Sequence, residues 1–212
     1  MSAPLPDLRL YLVTDRAMTA AYGLVPTVLD AVAGGVGIVQ LRDPEADDDE
    51  LVRIGRELHA ALAGRVPLLV NDRVHLVEAI GAEGAHIGQH DLPADQARQV
   101  LGPDRLLGLS VQTVAHVEAA RELGPGVVDY IGIGPVWDTA TKPDAARAGG
   151  PAHTAAVAAA SPWPSVAIGG INLARVPSLR HTGIDGISVV SAICCAPEPR
   201  RAAEELLAAW TR

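Results

Sequence analysis

The chain has 212 residues, of which 49% are apolar and 20% charged, and its formal net charge is −8 at pH 7. A chain of this length and composition is expected to form one globular domain, residues 1–212. The negative charge argues against a nucleic-acid partner, because a basic surface is needed to contact phosphates along a strand. No stretch approaches the ~18 apolar residues of a membrane span. The first ten residues also lack the basic and apolar parts of a secretory signal, so a cytoplasmic location is expected.

The two cysteines, Cys194 and Cys195, are neighbours in the chain. Adjacent cysteines rarely pair with each other, and this spacing does not suit a metal site. The sequence therefore predicts two reduced thiols in the core, without a chemical role.

Short apolar runs alternate with helix-forming segments along the whole chain. The apolar runs predict strands at 8–13, 36–41, 68–70, 84–87, 106–109, 127–133, 165–168 and 185–190. Helices are predicted at 24–33, 47–63, 74–80, 94–101, 113–123, 154–160, 173–182 and 199–210. Eight such repeats imply a parallel sheet, and eight parallel strands close into a barrel more readily than they form an open sheet. The predicted fold class is α/β, a (β/α)₈ TIM barrel in a single domain.

Polar residues follow almost every predicted strand. In barrels of this kind the active site forms at the carboxyl ends of the strands. The polar residues at these positions are Gln40, Arg42, Asn71, Asp72, Arg73, Gln89, His90, Asp91, Ser110, Gln112, Thr139, Thr141, Lys142 and Ser191. We therefore expect one polar rim with a binding site.

Asp72 and Asp91 follow neighbouring strands, so their carboxylates can approach each other at that rim. Two close carboxylates repel unless a cation lies between them or one is protonated. Together with waters and phosphate oxygens they would make a Mg²⁺ site. The alternative is that each residue caps the helix that follows it.

Lys142 is the only lysine in the chain, and it lies beyond the sixth strand beside Thr139 and Thr141. An ammonium group next to two hydroxyls suits a phosphate, although a solvated loop lysine is the simpler interpretation. With Arg42 it would make one anion site. Gly169-Gly170 and Val190-Ser191 would make a second from backbone N–H groups, as in many barrels, unless the glycines only form a tight turn.

The histidines offer no hydrolase triad, because no nucleophile and base are placed for one. His86 lies inside the fourth predicted strand and is interpreted as a hydrogen-bonded core residue.

Eight motifs in register resemble those of thiamine-phosphate synthases, over nearly the whole chain. The motifs are YLVTD at 11–15, QLR at 40–42, VNDR at 70–73, HIGQHD at 86–91, GIGP at 132–135, TATK at 139–142, AIGGI at 167–171 and VSAI at 190–193.

The resemblance implies a transferase of thiamine biosynthesis. Such an enzyme joins 4-amino-2-methyl-5-hydroxymethylpyrimidine diphosphate to 4-methyl-5-(2-phosphoethyl)thiazole, giving thiamine phosphate and diphosphate. It implies Mg²⁺ at Asp72 and Asp91, and a catalytic role for Lys142 and Arg42. The pyrimidine diphosphate would contact Gln40, Arg42, Asn71, Ser110 and Lys142. The thiazole phosphate would contact Thr139, Thr141, Gly170, Val190 and Ser191. The expected partners are thus small molecules, with a homo-oligomer left open.

One departure is Pro44, where the family commonly has a lysine that contacts the diphosphate. Either Arg73 or another arginine replaces that charge, or substrate binding is weaker. The loss favours the alternative of a thiazole tautomerase-like isomerase. A non-catalytic relative that binds thiamine phosphates is a third alternative. The carboxylate pair and the TATK motif favour the synthase.

Overall fold

Eight parallel strands close into a barrel in the order in which they occur along the chain, which confirms the predicted fold class. The computed structural model describes residues 5–139, 141 and 147–212. The strands are β1 (Leu10–Val13), β2 (Ile38–Leu41), β3 (Leu68–Asn71), β4 (Gly84–Ile87), β5 (Leu106–Val111), β6 (Tyr130–Ile133), β7 (Ser165–Ala167) and β8 (Gly186–Val189). The barrel closes where β1 pairs with β8, with Tyr11 opposite Ser188.

The helices are α1 (Leu24–Ala33), α2 (Asp48–Leu62), α3 (Val77–Ile80), α4 (Ala94–Leu101), α5 (Val114–Glu122), α6 (Gly150–Ala160), α7 (Ser191–Cys194) and α8 (Pro199–Thr211). Helices α1 to α6 lie between successive strands, and α7 and α8 follow β8. None of the helices in these described ranges has the length and apolarity needed to cross a bilayer.

The strand residues divide into two buried layers because successive side chains point to opposite faces of the sheet. Val39 and Leu41 of β2 join the large apolar layer between the strands and the helices. Ile38 joins a smaller cluster inside the barrel with Tyr11 and Tyr130. Gln40 is two residues beyond Ile38 and therefore shares the inner face.

Two predicted helices differ from the structure. The segment predicted as a helix at 173–182 contains only a 3-10 helix, Val176–Leu179. Pro177 explains the difference, because a proline in the interior of an α-helix removes one N–H donor and clashes with the preceding turn. The segment predicted at 74–80 begins with a 3-10 turn, Val74–Leu76, before the single turn of α3.

The start of α2 agrees with the sequence. Asp47 accepts a hydrogen bond from the Glu50 N–H at 2.8 Å and caps the helix, and three acidic residues form its first turn. Acidic side chains are favourable at that end of a helix. The cap fixes where the loop after β2 ends.

Candidate functional site

The predicted site residues from β2 to β5 lie at or just beyond the carboxyl ends of their strands. Gln40 is in β2, Asn71 ends β3 and Ser110 is in β5. Arg42 follows β2 directly, and Asp72 follows β3. Because the strands are parallel and form one closed barrel, these positions share one rim, as predicted.

A chain of four hydrogen bonds crosses the barrel interior beneath this rim. The Gln40 Nε2 donates to the Tyr11 hydroxyl at 2.6 Å, and that oxygen lies 3.0 Å from the Tyr130 hydroxyl. The Tyr130 hydroxyl lies 2.9 Å from the His86 Nδ1, and the His86 Nε2 lies 2.9 Å from the Ser110 Oγ. We call these five residues the buried polar chain. Its two ends, Gln40 and Ser110, were predicted as substrate contacts.

The interpretation of His86 as a bonded core residue is confirmed, but Tyr11 and Tyr130 were missed. Both tyrosines are fully or almost fully buried. The signal in the sequence was the absence of phenylalanine, which leaves tyrosine to supply a buried ring in two apolar strands. A buried tyrosine hydroxyl requires a hydrogen-bond partner, so a polar contact inside the barrel was implied.

Glycines on β5 and β6 leave the space that this chain occupies. A Cβ at Gly108 would lie 2.2 Å from the Tyr130 Cζ and 2.3 Å from the His86 Nδ1. A Cβ at Gly132 would lie 3.1 Å from the His86 Cε1. Any larger residue at position 108 would displace both rings.

Burial raises the pKa of Tyr11 and of Tyr130 well above the usual value for a phenol. Desolvation is the main cause for each, because an anion would lose its hydration inside the barrel. Both hydroxyls therefore keep their hydrogen over the whole physiological pH range.

Asp72 has a backbone φ of 59°, in the left-handed region that a residue with a side chain rarely adopts. Its N–H donates to the His86 carbonyl at 2.9 Å, and its Oδ2 accepts from the Asn71 Nδ2 at 2.6 Å. Backbone strain of this kind costs about 1–3 kcal/mol and is concentrated at functional sites. The neighbouring strand and Asn71 thus hold this carboxylate in place.

Asp91 is exposed, and its Oδ2 accepts the Gly88 N–H at 2.7 Å. The capping alternative does not describe either acid. The N-cap residue of α4 is Pro93, and that of the 3-10 turn after β3 is Arg73.

Asp72 and Asp91 could bind a hard cation only together with ligands from outside the protein, such as waters and substrate phosphates. Among the described residues, no group of three or more acidic, histidine or cysteine side chains could hold a metal ion. Carboxylate oxygens are the ligands that Mg²⁺ prefers, and it commonly takes one or two of them with waters and substrate phosphates. Asp72 and Asp91 fit that kind of site rather than a protein cage.

The loop after β2 is held by a buried acid. Asp43 accepts from the N–H groups of Glu45 and Ala46, and its Oδ2 lies 2.7 Å from the Arg16 Nε. The N–H of the preceding residue, Arg42, donates to the Thr14 Oγ1 at 3.0 Å. These contacts set the backbone path on either side of Pro44, which is exposed.

Arg73, considered as a replacement for the missing lysine, is already paired. Its Nη1 lies 3.2 Å from the Asp48 Oδ1, and the His75 Nε2 lies 2.8 Å from the Asp48 Oδ2. The hydrogen bond from His75 is the main cause that lowers the pKa of Asp48, with Arg73 adding to it. In this structure the Arg73 guanidinium is thus engaged in an ion pair with the first turn of α2.

The loops after β6 and β7 are joined to each other. The Val136 N–H donates to the Ile168 carbonyl at 2.9 Å, and the Trp137 N–H donates to the Gly169 carbonyl at 3.1 Å. Gly169 and Gly170 have φ values of 103° and 62°. A Cβ at Gly170 would lie 2.9 Å from the Asp138 carbonyl oxygen and equally close to the Trp137 Cβ. The glycine pair therefore permits a close approach between two loops, beyond forming a turn.

The predicted phosphate contacts are only partly described. The hydroxyls of Thr139 and Thr141 lie 2.7 Å apart. Lys142 lies outside the described residues. Val190 precedes α7, whose four residues begin at Ser191, so this element is one turn and adds little helix dipole.

Both cysteines are free, as predicted, but only one is in the core. Cys194 is buried, whereas Cys195 is exposed. Burial raises the pKa of the Cys194 thiol to about 11.

Comparisons with known proteins agree with this geometry. The sequence model of the family described as thiamine monophosphate synthase matches residues 10–193. The chain is 49% identical to the thiamine-phosphate synthase of a Psychrobacter species over 201 residues, covering 95% of this chain and 94% of that one. It is 50% identical to that of Xanthobacter autotrophicus over 204 residues, covering 96% and 95% of the two chains. Among solved structures, the thiamine phosphate pyrophosphorylase of Pyrococcus furiosus is 32% identical with a TM-score of 0.86, over 97% of this chain and 96% of that one.

Proposed function

The chain belongs to the thiamine monophosphate synthase family, and from that premise we propose that it is the transferase that makes thiamine phosphate. The substrates are 4-amino-2-methyl-5-hydroxymethylpyrimidine diphosphate and 4-methyl-5-(2-phosphoethyl)thiazole, and the second product is diphosphate. The observation that carries the proposal is the shared rim, where Gln40, Asn71 and Ser110 stand at the carboxyl ends of β2, β3 and β5.

The reaction replaces one bond to the pyrimidine methylene carbon with another. The bond from this carbon to the diphosphate oxygen breaks, and the electron pair leaves with the diphosphate. The thiazole ring nitrogen then supplies the electron pair for the new carbon–nitrogen bond. No protein nucleophile is required for this exchange.

The protein's task is to hold the two substrates and to stabilise the charge that develops on the leaving group. Arg42 and Lys142 are proposed to bind the diphosphate and to favour its departure. Gln40, Asn71 and Ser110 are proposed to hold the pyrimidine part. Correct placement of two bound reactants supplies much of the acceleration in reactions of this class.

We propose that Asp72 and Asp91 hold Mg²⁺ together with oxygens of the diphosphate. The ion would neutralise charge on the leaving group. The support is the chemistry of the donor set and the fixed position of Asp72, which has a left-handed backbone and is not the N-cap residue of the turn that follows.

The thiazole phosphate is proposed to bind between the loops after β6, β7 and β8. Thr139, Thr141 and Ser191 would supply hydroxyl groups to the phosphate, and Gly170 and Val190 would supply backbone N–H groups. The hydrogen bonds between the first two loops keep Gly170 near the Thr139 segment.

Cellular location and assembly are further proposals. Two free cysteines suit a reducing compartment, so we propose that the protein works in the cytoplasm. Its proposed partners are the two small substrates. A homo-oligomer stays a prediction, which analytical ultracentrifugation would test.

Pro44 favours one competing function, a thiazole tautomerase-like isomerase without diphosphate chemistry. The experiment is to mix the purified protein with both substrates and Mg²⁺ and to measure diphosphate and thiamine phosphate. Product formation supports the synthase. Isomerisation of a thiazole phosphate without product would favour the tautomerase, and binding without turnover would favour a non-catalytic relative.

A further inference from the structure

The residue that follows β1 holds the backbone of Arg42, which is proposed to bind the diphosphate. This residue is Thr14, and it is fully buried. Its Oγ1 accepts the Arg42 N–H at 3.0 Å and donates to the Arg42 carbonyl at 3.4 Å. One buried hydroxyl thus contacts both polar backbone groups of Arg42 at the point where the chain leaves β2.

A buried acid holds the next residues of the same loop. The side chain of Asp43 is only 5% exposed, and its Oδ1 accepts the N–H groups of Glu45 and Ala46 at 3.2 and 3.3 Å. These two bonds turn the chain around Pro44, whose ring restricts φ to about −65°. The loop between β2 and α2 is therefore fixed on both sides of Pro44.

Arg16, in the loop after β1, compensates the charge of Asp43. Its Nε lies 2.7 Å from the Asp43 Oδ2, and this oxygen has no hydrogen-bond partner among the described residues. The contact is thus close but not aligned as a hydrogen bond, and its main effect is electrostatic. Arg16 also pairs with Glu50 in the first turn of α2. Removing the counter-charge of a buried carboxylate destabilises the buried position, because the carboxylate then gains by reaching water.

We propose that Thr14 and Arg16 are positioning residues for the diphosphate, and that they act through the backbone of the loop after β2. Thr14 acts on Arg42 directly, and Arg16 acts by keeping Asp43 buried under the loop. The backbone of Arg42 is thereby set before the substrate binds, so less conformational entropy is lost on binding. Arg16 itself does not contact the diphosphate in this account. The inference rests on the proposed function, which assigns the diphosphate to Arg42.

Two substitutions separate this role from a direct contact between Arg16 and the diphosphate. Arg16→Gln leaves the Asp43 carboxylate buried without its counter-charge. Asp43→Asn removes that charge, and its remaining oxygen can still accept the N–H groups of Glu45 and Ala46. Arg16→Gln should therefore have almost no further effect in the Asp43→Asn background. A direct contact would instead be lost to the same extent in both backgrounds.

Binding of inorganic diphosphate with Mg²⁺, measured by calorimetry, gives the first readout without turnover. We expect Arg16→Gln to raise the Kd about tenfold, and Asp43→Asn and the double variant to raise it about twofold each. Arg53→Gln is the matched control and should bind as the wild type does, because Arg53 forms only an exposed ion pair with Glu57 on α2. A tenfold effect of Arg16→Gln that persists beside Asp43→Asn would overturn the proposal, and so would an unchanged Kd.

Amide hydrogen exchange tests the loop alone and is independent of the proposed function. The amides of Glu45 and Ala46 should exchange faster in Arg16→Gln than in the wild type, and should return to near the wild-type rates in the double variant. Unchanged exchange in Arg16→Gln would overturn the proposal even in an active enzyme. If the wild type forms no thiamine phosphate, the proposed function fails, and the exchange rates still decide whether Arg16 holds the loop.

Thr14 is tested by a pair of substitutions that differ in the hydroxyl. Thr14→Val keeps the shape and removes the hydroxyl, and we expect the KM for the pyrimidine diphosphate to rise about fivefold with an unchanged KM for the thiazole phosphate. Thr14→Ser keeps the hydroxyl and should stay close to the wild type. KM values that rise together for both substrates in Thr14→Val, or equal effects of the two variants, would overturn the role of Thr14.

Discussion

The guanidinium of Arg175 lies 5.0 Å from the centre of the Trp137 ring, and its Nη1 donates to the Gly170 carbonyl at 2.6 Å. One side chain thus fastens the loop after β6 to the loop after β7, on the proposed thiazole-phosphate side of the site. A cation over an indole ring contributes about 0.5–1 kcal/mol at a partly exposed position.

Arg175→Ala is expected to raise the KM for the thiazole phosphate about fivefold. The reason is that the loop that contains Thr139 loses the Arg175 contacts that hold it against the loop after β7. The KM for the pyrimidine diphosphate should change little. Arg180→Ala is the control, since Arg180 also donates to a backbone carbonyl, that of Ala209 at 2.7 Å. Steady-state kinetics with each substrate varied in turn would check this, and equal effects of both variants would refute it.

The Mg²⁺ proposal predicts a specific response to the metal concentration. Asp72→Asn and Asp91→Asn remove one charge each while keeping the side-chain shape. Each variant is expected to need about tenfold more Mg²⁺ for half-maximal rate, which corresponds to about 1.4 kcal/mol.

Asp95→Asn controls for the general loss of a surface acid, because Asp95 is an exposed residue in the first turn of α4. Titrating Mg²⁺ in the diphosphate-release assay gives the measurement. A common titration curve for the wild type and all three variants would rule out the assigned ligands.

Pro44→Lys is expected to lower the KM for the pyrimidine diphosphate several-fold, since it returns a cation to the loop that leads from Arg42. Position 44 is exposed, so the change requires no repacking. Pro44→Ala separates the effect of charge from that of removing proline. If both variants have the wild-type KM, the missing lysine has no influence on binding.

Alkaline pH should destabilise the fold through Cys194. Burial raises its pKa from the usual 9.0 to about 11, so between these values the unfolded chain has lost a proton that the native protein retains. The contribution is complete below pH 9 and falls as the pH rises, by at most about 1.4 kcal/mol per pH unit.

Urea unfolding of Cys194→Ala and Cys195→Ala at several pH values between 9 and 10 would check this. The slope of the free energy of unfolding against pH should become shallower in Cys194→Ala only, because Cys195 is exposed. Identical slopes in both variants would contradict the assignment. Above pH 10 the raised pKa values of Tyr11 and Tyr130 add to the loss.

The barrel could be predicted because its signal is local and repeated: short apolar runs alternating with helical segments. The rim follows from the fold, so the positions of Gln40, Asn71 and Asp72 at the rim could be predicted from the sequence. The helix predicted at 173–182 was wrong, because Pro177 lies in its interior and allows only a short 3-10 helix there.

The buried polar chain could not be predicted in the same way. Tyr11 and Tyr130 are 119 positions apart in sequence, and their contact depends on the register with which the barrel closes. The left-handed backbone of Asp72 is equally hidden, since an aspartate in a sequence does not reveal its φ. Sequence patterns therefore identified Gln40 and Ser110, the two ends of the buried polar chain. Only the fold identified the hydrogen bonds between them.

The central claim is that this barrel joins two substrates with loss of diphosphate. The most direct test is to measure diphosphate and thiamine phosphate in one reaction with Mg²⁺, with each substrate omitted in turn. The account predicts that the two products form in equal amounts and only when both substrates are present. Diphosphate release that does not depend on the thiazole phosphate, or no thiamine phosphate at all, would contradict it.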